Sequence, residues 1–366
     1  MAYATPATFS AGQLVLASDL NAIQTNVTAL RAGEIALSSQ ATHDLAVATG
    51  ANTWARLAPG TSGHFLKTNS TGSAPAWAAV AVESDIGIVE GRLTASSGVP
   101  VTIADVSGAA NIYFTPYAGN RIALYDGSSA WEVKTFTEIT ISLSGFTAIK
   151  PYDVFAYNNS GTVAIETLIW TNNTTRATAL AYQDGVLVKS GATTRRYLGT
   201  VYINAAGGQT EDTILKRYVW NYYNRHSRNL RVMDTTNSWT YTTGTVRQMR
   251  GSTANQVDVV VGVAEVPVSL SLRIGAQNSG VGVNMWAGIG HNSVGVPVTT
   301  SQSSYSTSPV AYHVQTLGAG LTIYPAIGFS YFPMLEWSSA AGTTTWYGNN
   351  TASTPTRSGM SGWIEG

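Results

Sequence analysis

Residues 154–170 read Val-Phe-Ala-Tyr-Asn-Asn-Ser-Gly-Thr-Val-Ala-Ile-Glu-Thr-Leu-Ile-Trp. Two runs rich in β-branched and aromatic residues, Val154 to Tyr157 and Val163 to Trp170, flank Asn159-Ser160-Gly161. Such side chains suit a pleated, half-buried surface, and Asn, Ser and Gly tolerate the positive φ of a tight turn, so the stretch predicts a β-hairpin. The pattern recurs outward. Asn111 to Thr115 and Arg121 to Tyr125 are strand-like, Asp126-Gly127 precedes Trp131 to Phe136, and Asp184-Gly185 separates Ala179 to Gln183 from Val186 to Lys189. Turn signals recur every roughly 10 to 25 residues, which predicts a β-hairpin-rich sandwich over 92–230.

Residues 231–366 continue the pattern with Val257 to Val263, Val266-Pro267-Val268, Leu270 to Ile274, Gly280 to Ile289, Leu321 to Tyr324, Ser330 to Trp337 and Thr343 to Tyr347. Gly275, Gly280, Gly282, Gly288 and Gly290 make the middle of this region turn sharply, and a jelly-roll-like β-sandwich is expected. No strand is assigned to the glycine-rich tail, Arg357 to Gly366. The fold class is therefore mainly β, with a short N-terminal helix ahead of the two sandwiches.

That helix is expected from Ser18 or Asp19 as N-cap, with Gly33 as its stop. Leu20, Ile23, Val27 and Leu30 follow at spacings of three, four and three, an a/d seam of about two heptads. Two readings stand, a helix packed on its own domain and a parallel coiled-coil stub inside an oligomer; the second is preferred, since so short a helix is marginal alone. The following segment carries Trp54, a turn at Pro59-Gly60-Thr61-Ser62-Gly63, Phe65-Leu66, a Gly72/Pro75 turn and Trp77. Its punctuation leaves room for tiny strands only, and its tryptophans need cover that neighbouring chains would supply.

Only 11% of the 366 residues are charged, 20 basic against 20 acidic, where about 25% is usual. A neutral chain has no long-range field to steer it to nucleic acid or anionic lipid, and neutral surfaces favour association. Without cysteine there are no disulfides, thiolate metal sites or thiol nucleophiles. Met1 to Ser10 lack a signal-peptide pattern, and no run approaches the ~18 apolar residues of a membrane span. A soluble chain made in the cytoplasm, with no membrane insertion, is expected.

Catalytic constellations are sparse. His43, His64, His226, His291 and His313 are scattered, so no metal is assigned. Gly359-Met360-Ser361-Gly362 lacks the last glycine of a nucleophile elbow, and Gly280-Val281-Gly282 and Gly318-Ala319-Gly320 read as turns. Glycoside cleavage needs two carboxylates about 5 to 9 Å apart; Glu132, Glu138, Asp153, Glu166 and Asp258 are available, but nothing in the sequence pairs them. No catalytic residue and no cofactor is assigned, and the chain is expected not to be an enzyme. Lys216, Arg217, Arg225, Arg228 and Arg231 interleave with Tyr218, Trp220, Tyr222 and Tyr223. They read as a buried strand with paired or snorkelling arginines rather than as a single-stranded nucleic-acid site. Tyr305, Tyr312, Tyr331, Trp337, Trp346 and Tyr347 fall in or near expected loops. Beside a reading that assigns them to core and subunit contacts stands one in which Tyr305, Tyr312, Trp337, Trp346 and Tyr347 contact a glycan, because Trp and Tyr stack well on sugar faces.

Phe9-Ser10-Ala11-Gly12 through Leu20-Asn21 resembles the N-terminal segment of bacteriophage tail and head fibre proteins, and the Trp54 to Trp77 segment resembles their linkers. The block from Arg92 to Leu230 is similar to a domain recurring in phage virion structural proteins. The likeness rests on Ile112 to Tyr117, Gly119 to Tyr125, Tyr152 to Tyr157, Tyr197 to Thr200 and Trp220 to Arg225. The resemblance implies a homotrimer on the outside of the virion, with Leu20, Ile23, Val27 and Leu30 as its seam. Residues 1–91 would attach to other virion proteins, 92–230 would form the central β domain, and 231–366 would be a tip for host attachment, with a surface polysaccharide as candidate ligand. A capsid-decorating or neck fibre without a receptor role, and a polysaccharide-degrading tailspike, are the alternatives.

Overall fold

The Asn159-Ser160-Gly161 turn joins strands Lys150–Asn159 and Thr162–Ile169, with Asn159 opposite Thr162. Ser160 and Gly161 both take positive φ, the geometry of a two-residue turn matched to strand twist. Asp184-Gly185 does the same between Leu180–Gln183 and Val186–Lys189. Asp126-Gly127 instead opens a longer loop, in which the Asp126 carboxylate accepts the backbone N–H groups of Ser128, Ser129 and Ala130. In this computed structural model the described residues are 14, 16–31, 41–51, 53–69, 71–79, 86–349 and 358–366, with the side chains of 29–31 excepted. The Phe9 to Gly12 motif, Gly33 and the Leu30 side chain lie outside them. The chain is mainly β with one short N-terminal helix, as expected, and divides into two compact units, Met1–Glu83 and Ser84–Gly366.

In the first unit the helix spans Ala17–Arg31. Its start corrects the expected cap. Leu16 is the N-cap residue, and Asp19 lies inside the first turn, its carboxylate accepting the Leu16 N–H at 3.2 Å. Leu20 is 57% and Ile23 39% exposed, and Val27 is half-buried. Two small antiparallel hairpins follow, Leu45–Gly50 with Thr53–Leu57 and His64–Thr68 with Pro75–Ala79. Trp77 donates to the Ala58 carbonyl at 2.7 Å and lies over Gly60, while Trp54 stays exposed.

The second unit is built on a β-sandwich. One sheet has eight strands. Along its main path run Tyr305–Thr307, Asn284–Ile289, Gly328–Ser338, Gln256–Val261, Lys216–Arg217, Thr210–Asp212 and Val106–Ala109, and Arg247–Gln248 pairs with Gly328–Ser338. The other has seven, in the path Ser227–Val232, Gly359–Glu365, Val268–Asn278, Gln315–Ile323 and Gln302–Ser303, with Thr344–Tyr347 and then Ser238–Thr240 off Val268–Asn278. Val257, Val259, Leu270, Leu272, Met285, Phe332 and Met360 are among the side chains of the shared core. A six-stranded sheet around Lys150–Asn159 and Ala192–Ile203 and a three-stranded one around Asn111–Pro116 enclose a second core, with Ile112, Phe114, Val154 and Val201.

The expected division at 230/231 is not a boundary between compact units. Phe155, Tyr197 and Trp220 belong to the same core as Val257 and Leu270. Lys216–Arg217 pairs in parallel with Asp258 and Val259, carrying three strands of the middle block into the eight-stranded sheet. Arg176 grips Asp153 at 2.7 Å and donates to the Gly262 carbonyl at 2.6 Å. The buried Arg92 guanidinium donates to the carbonyls of Asn224 and Gly366, the latter at 2.8 Å.

Asp234 pins the segment after Ser227–Val232 to the one before Gln256–Val261. Its carboxylate accepts from Arg250 at 2.7 Å, from Asn255 at 2.6 Å and from the Thr236 N–H at 2.8 Å. Burial pushes its pKa up, but the bonds from Asn255, Thr236 and Arg250 outweigh this and pull it down from 3.8 to about 2. A depressed folded pKa contributes stability above the unfolded value that is lost as pH falls through the folded one. The urea midpoint of the wild type should therefore fall between pH 5 and pH 2.5 by more than that of Asp234→Asn, and equal falls would remove Asp234 from the acid response.

Candidate functional site

Along Asn284–Ile289, Met285, Ala287 and Ile289 point into the core, so alternation turns Trp286 and Gly288 to the outer face of the eight-stranded sheet. Gly328–Ser338 sends Phe332 and Met334 inward and Trp337 outward. Register then aligns three aromatic residues across neighbouring strands, Tyr305 opposite Trp286 and Trp286 opposite Trp337. Directly opposed residues of an antiparallel pair stand with Cβ atoms about 4.5 to 5.5 Å apart, so the three form one row. Tyr305 is 69% exposed, and the two tryptophans are half-buried.

The row borders an open groove of about 360 Å³ lined by Trp286, Trp337, Val246, Pro297, Val298 and Ser303 among others. Trp286 donates its indole N–H to the Ser303 hydroxyl at 3.0 Å, which fixes the ring at the groove wall. The indole lies over Gly288, where any β-carbon would meet it at 2.1 Å, so only glycine fits beneath. The arrangement offers apolar ring faces beside hydroxyl groups at an open cleft. That combination matches a sugar, whose ring has an apolar C–H face and a polar rim.

The expected glycan contacts are distributed differently. Tyr305 and Trp337 share the row, and Trp286, not singled out from the sequence, joins them. Trp346 is corrected: it is 0% exposed, packs in the sandwich core and donates its N–H to the Tyr241 carbonyl at 3.2 Å, so it meets no ligand. Alternation puts Tyr347 on the outer face of the seven-stranded sheet, away from the row. Tyr312 is exposed on a loop.

The carboxylates considered for sugar cleavage are each engaged by partners of their own. Asp153 is held by Arg176 and the Thr200 hydroxyl, and Asp258 by Tyr218 and Gln256. Glu166 bridges Lys189 and Arg195, and Glu138 accepts from Ser97, Thr115 and the Gly98 N–H. Desolvation raises the pKa of Asp153 and Asp258. In the basic cluster Arg217 and Arg228 share Asp212, and Arg225 lies over Trp220 and Tyr222 while pairing with Glu265. Among the described residues no group of three or more His, Asp or Glu is placed to hold a metal ion, and no helix is long and apolar enough to cross a membrane.

No protein-family model matches the chain, and no curated protein does. Among solved structures, dimeric latent PorU from Porphyromonas gingivalis is similar over 72% of this chain and 24% of its own, at 7% identity and a TM-score of 0.26. A Bacillus thuringiensis Cry1Da tryptic core variant is similar over 70% and 48%, at 7% identity and a TM-score of 0.18. Infectious bursal disease virus, Gx strain, is similar over 71% of each chain, at 13% identity and a TM-score of 0.23. The chain thus spans about a quarter of the PorU chain and about half of the Cry1Da chain. Scores this low carry no argument about fold or function.

Proposed function

We propose that this chain is a structural and adhesive, non-catalytic subunit of a trimeric phage fibre. It is held to the particle through its N-terminal segment and presents the β-sandwich to a host-surface glycan. The observation that carries the adhesive reading is the Tyr305–Trp286–Trp337 row along an open groove, with Trp286 fixed by Ser303 and floored by Gly288. The phage assignment rests on the resemblance of the N-terminal, linker and middle segments to fibre proteins. Association is supported by the N-terminal helix, whose Leu20 and Ile23 stay exposed in the single chain. Three such helices side by side would cover Leu20 and Ile23.

The trimer is tested by sedimentation of the full chain. Three-fold mass is expected for the wild type, with loss of association in Leu20→Asp/Val27→Asp while the β-sandwich unit stays folded. A stable monomer at micromolar concentration, or a double variant that still assembles, rejects the seam.

Adhesion is tested with a glycan array followed by affinity measurement on the best ligand. Trp286→Ala and Trp337→Ala should each weaken binding about 10-fold or more, which is ~1.4 kcal/mol. Trp346→Ala should instead cost about 3 to 5 kcal/mol of folding stability through the cavity it leaves. Unchanged glycan affinity in both groove variants refutes the site.

A further inference from the structure

The opposite face of the sandwich carries a second constellation. Leu230 and Val232 point into the core from Ser227–Val232, Leu270, Leu272 and Ile274 from Val268–Asn278, and Met360 and Ile364 from Gly359–Glu365. Alternation therefore turns Arg231, Ser271, Arg273, Ser361 and Trp363 to the outer face of the seven-stranded sheet. Arg231 stands opposite Ser361, which stands opposite Ser271, while Arg273 stands opposite Gly359. The two arginines thus flank the central strand one pleat apart, over a floor of Gly359, Ser361 and Ser271. A depression of about 150 Å³ lies between them, and an open one of about 400 Å³ adjoins it, sharing Ser271 and Arg273.

These arginines are exceptional in this chain. Among the arginines with described side chains, all others have an ion pair or a hydrogen bond from the guanidinium, as with Arg56, Arg121, Arg176, Arg217, Arg247 and Arg250. Arg195, Arg225 and Arg228 pair with carboxylates, and Arg92 and Arg196 bind backbone carbonyls. Arg231 and Arg273 are exposed and, among the described residues, engage no carboxylate. The outward acid of the central strand, Glu365, is four residues from Ser361, about 13 Å along the sheet. A guanidinium presents a planar fork of donors that matches an oxyanion, and two such forks over a small-residue floor leave room for one. Trp363, partly exposed and one pleat from Ser361, adds a ring face, and the Ser361 and Ser271 hydroxyls add neutral partners.

We propose that this face binds an acidic oligosaccharide. Its carboxylate or sulfate sits between Arg231 and Arg273, and a neighbouring sugar ring rests on Trp363. Arg231, Ser361 and Trp363 do not border the Trp286 groove, and only the open depression beside Arg273 reaches it, through Ser303. In a chain of zero net charge, attraction for a polyanion must come from such a local cluster.

The test is calorimetric titration of the full chain with three hexasaccharides: hyaluronan, which carries carboxylates, heparin, which adds sulfates, and neutral cellohexaose. At least one acidic ligand should bind, more weakly as salt rises. Arg231→Gln, Arg273→Gln and Trp363→Ala should each weaken it 10-fold or more, and Trp286→Ala should leave it unchanged. Binding of hyaluronan identifies a carboxylate as sufficient; binding of heparin alone identifies the sulfate as the recognised group. The proposal is overturned if neither acidic ligand binds, if both arginine variants bind like wild type, or if inorganic sulfate alone binds as tightly as the hexasaccharide.

Discussion

The sandwich depends on one late strand. Gly359–Glu365 sits between Ser227–Val232 and Val268–Asn278 and hydrogen-bonds to both, so without it Ser227–Val232 would be cut off from the rest of the seven-stranded sheet. It sends Met360 and Ile364 into the core and brings Gly366 to the buried Arg92 guanidinium. Its glycines are steric requirements: a β-carbon on Gly362 would meet the Ser269 carbonyl oxygen at 1.8 Å. Gly359, which faces outward opposite Arg273, leaves the outer face shallow between the two arginines. Core closure and the smooth outer floor are two faces of one strand.

Scarcity of charge shapes the remainder. Asp153 with Arg176, Asp212 with Arg217 and Arg228, and Glu336 with Arg247 are ion pairs whose acids are buried. Desolvation is strong enough to raise the pKa of Asp153 and Glu336 despite their arginines. Such pairs contribute little net stability, yet losing one partner costs about 3 to 5 kcal/mol, because the other charge is left uncompensated. Their effect here is to fix which segments meet. Asp153, Arg176 and the Gly262 carbonyl join residues far apart in sequence, as do Arg228, Asp212 and Thr102.

Much of the fold was legible where turn chemistry and alternation agreed. Ser160-Gly161 and Asp184-Gly185 marked true two-residue hairpins, and the runs from Arg121 and Ser330 lie in strands, as does the run from Val257 as far as Val261. Gly359–Glu365 was hidden because its glycines, which the neighbouring backbones require, depress any strand signal. Ser227–Val232 alternates cleanly, but its arginines drew attention as a charge cluster. The boundary placed at 230 was illegible because sheet continuity is non-local: nothing in Lys216-Arg217 announces a parallel partner 42 residues later at Asp258. At the site, parity separates Trp337 from Trp346. Both lie in aromatic runs, and only the strand pairing says that one faces outward and the other the core. Trp286 had one local signal, a glycine two residues later on the same face, which makes room for a ring lying along the strand.

The sheet shared by residues 106–109, 210–217 and 256–338 has a consequence for how such a chain can diversify. Recombination that replaced residues 231–366 alone would import a sheet lacking its Lys216–Arg217 neighbour and a final strand unmatched to Ser227–Val232. Half of a hydrogen-bonded ladder would then face a stranger. The cassette that can be exchanged intact begins near residue 84, so new surface specificity within it must arise by substitution on the outer faces or arrive with the whole unit.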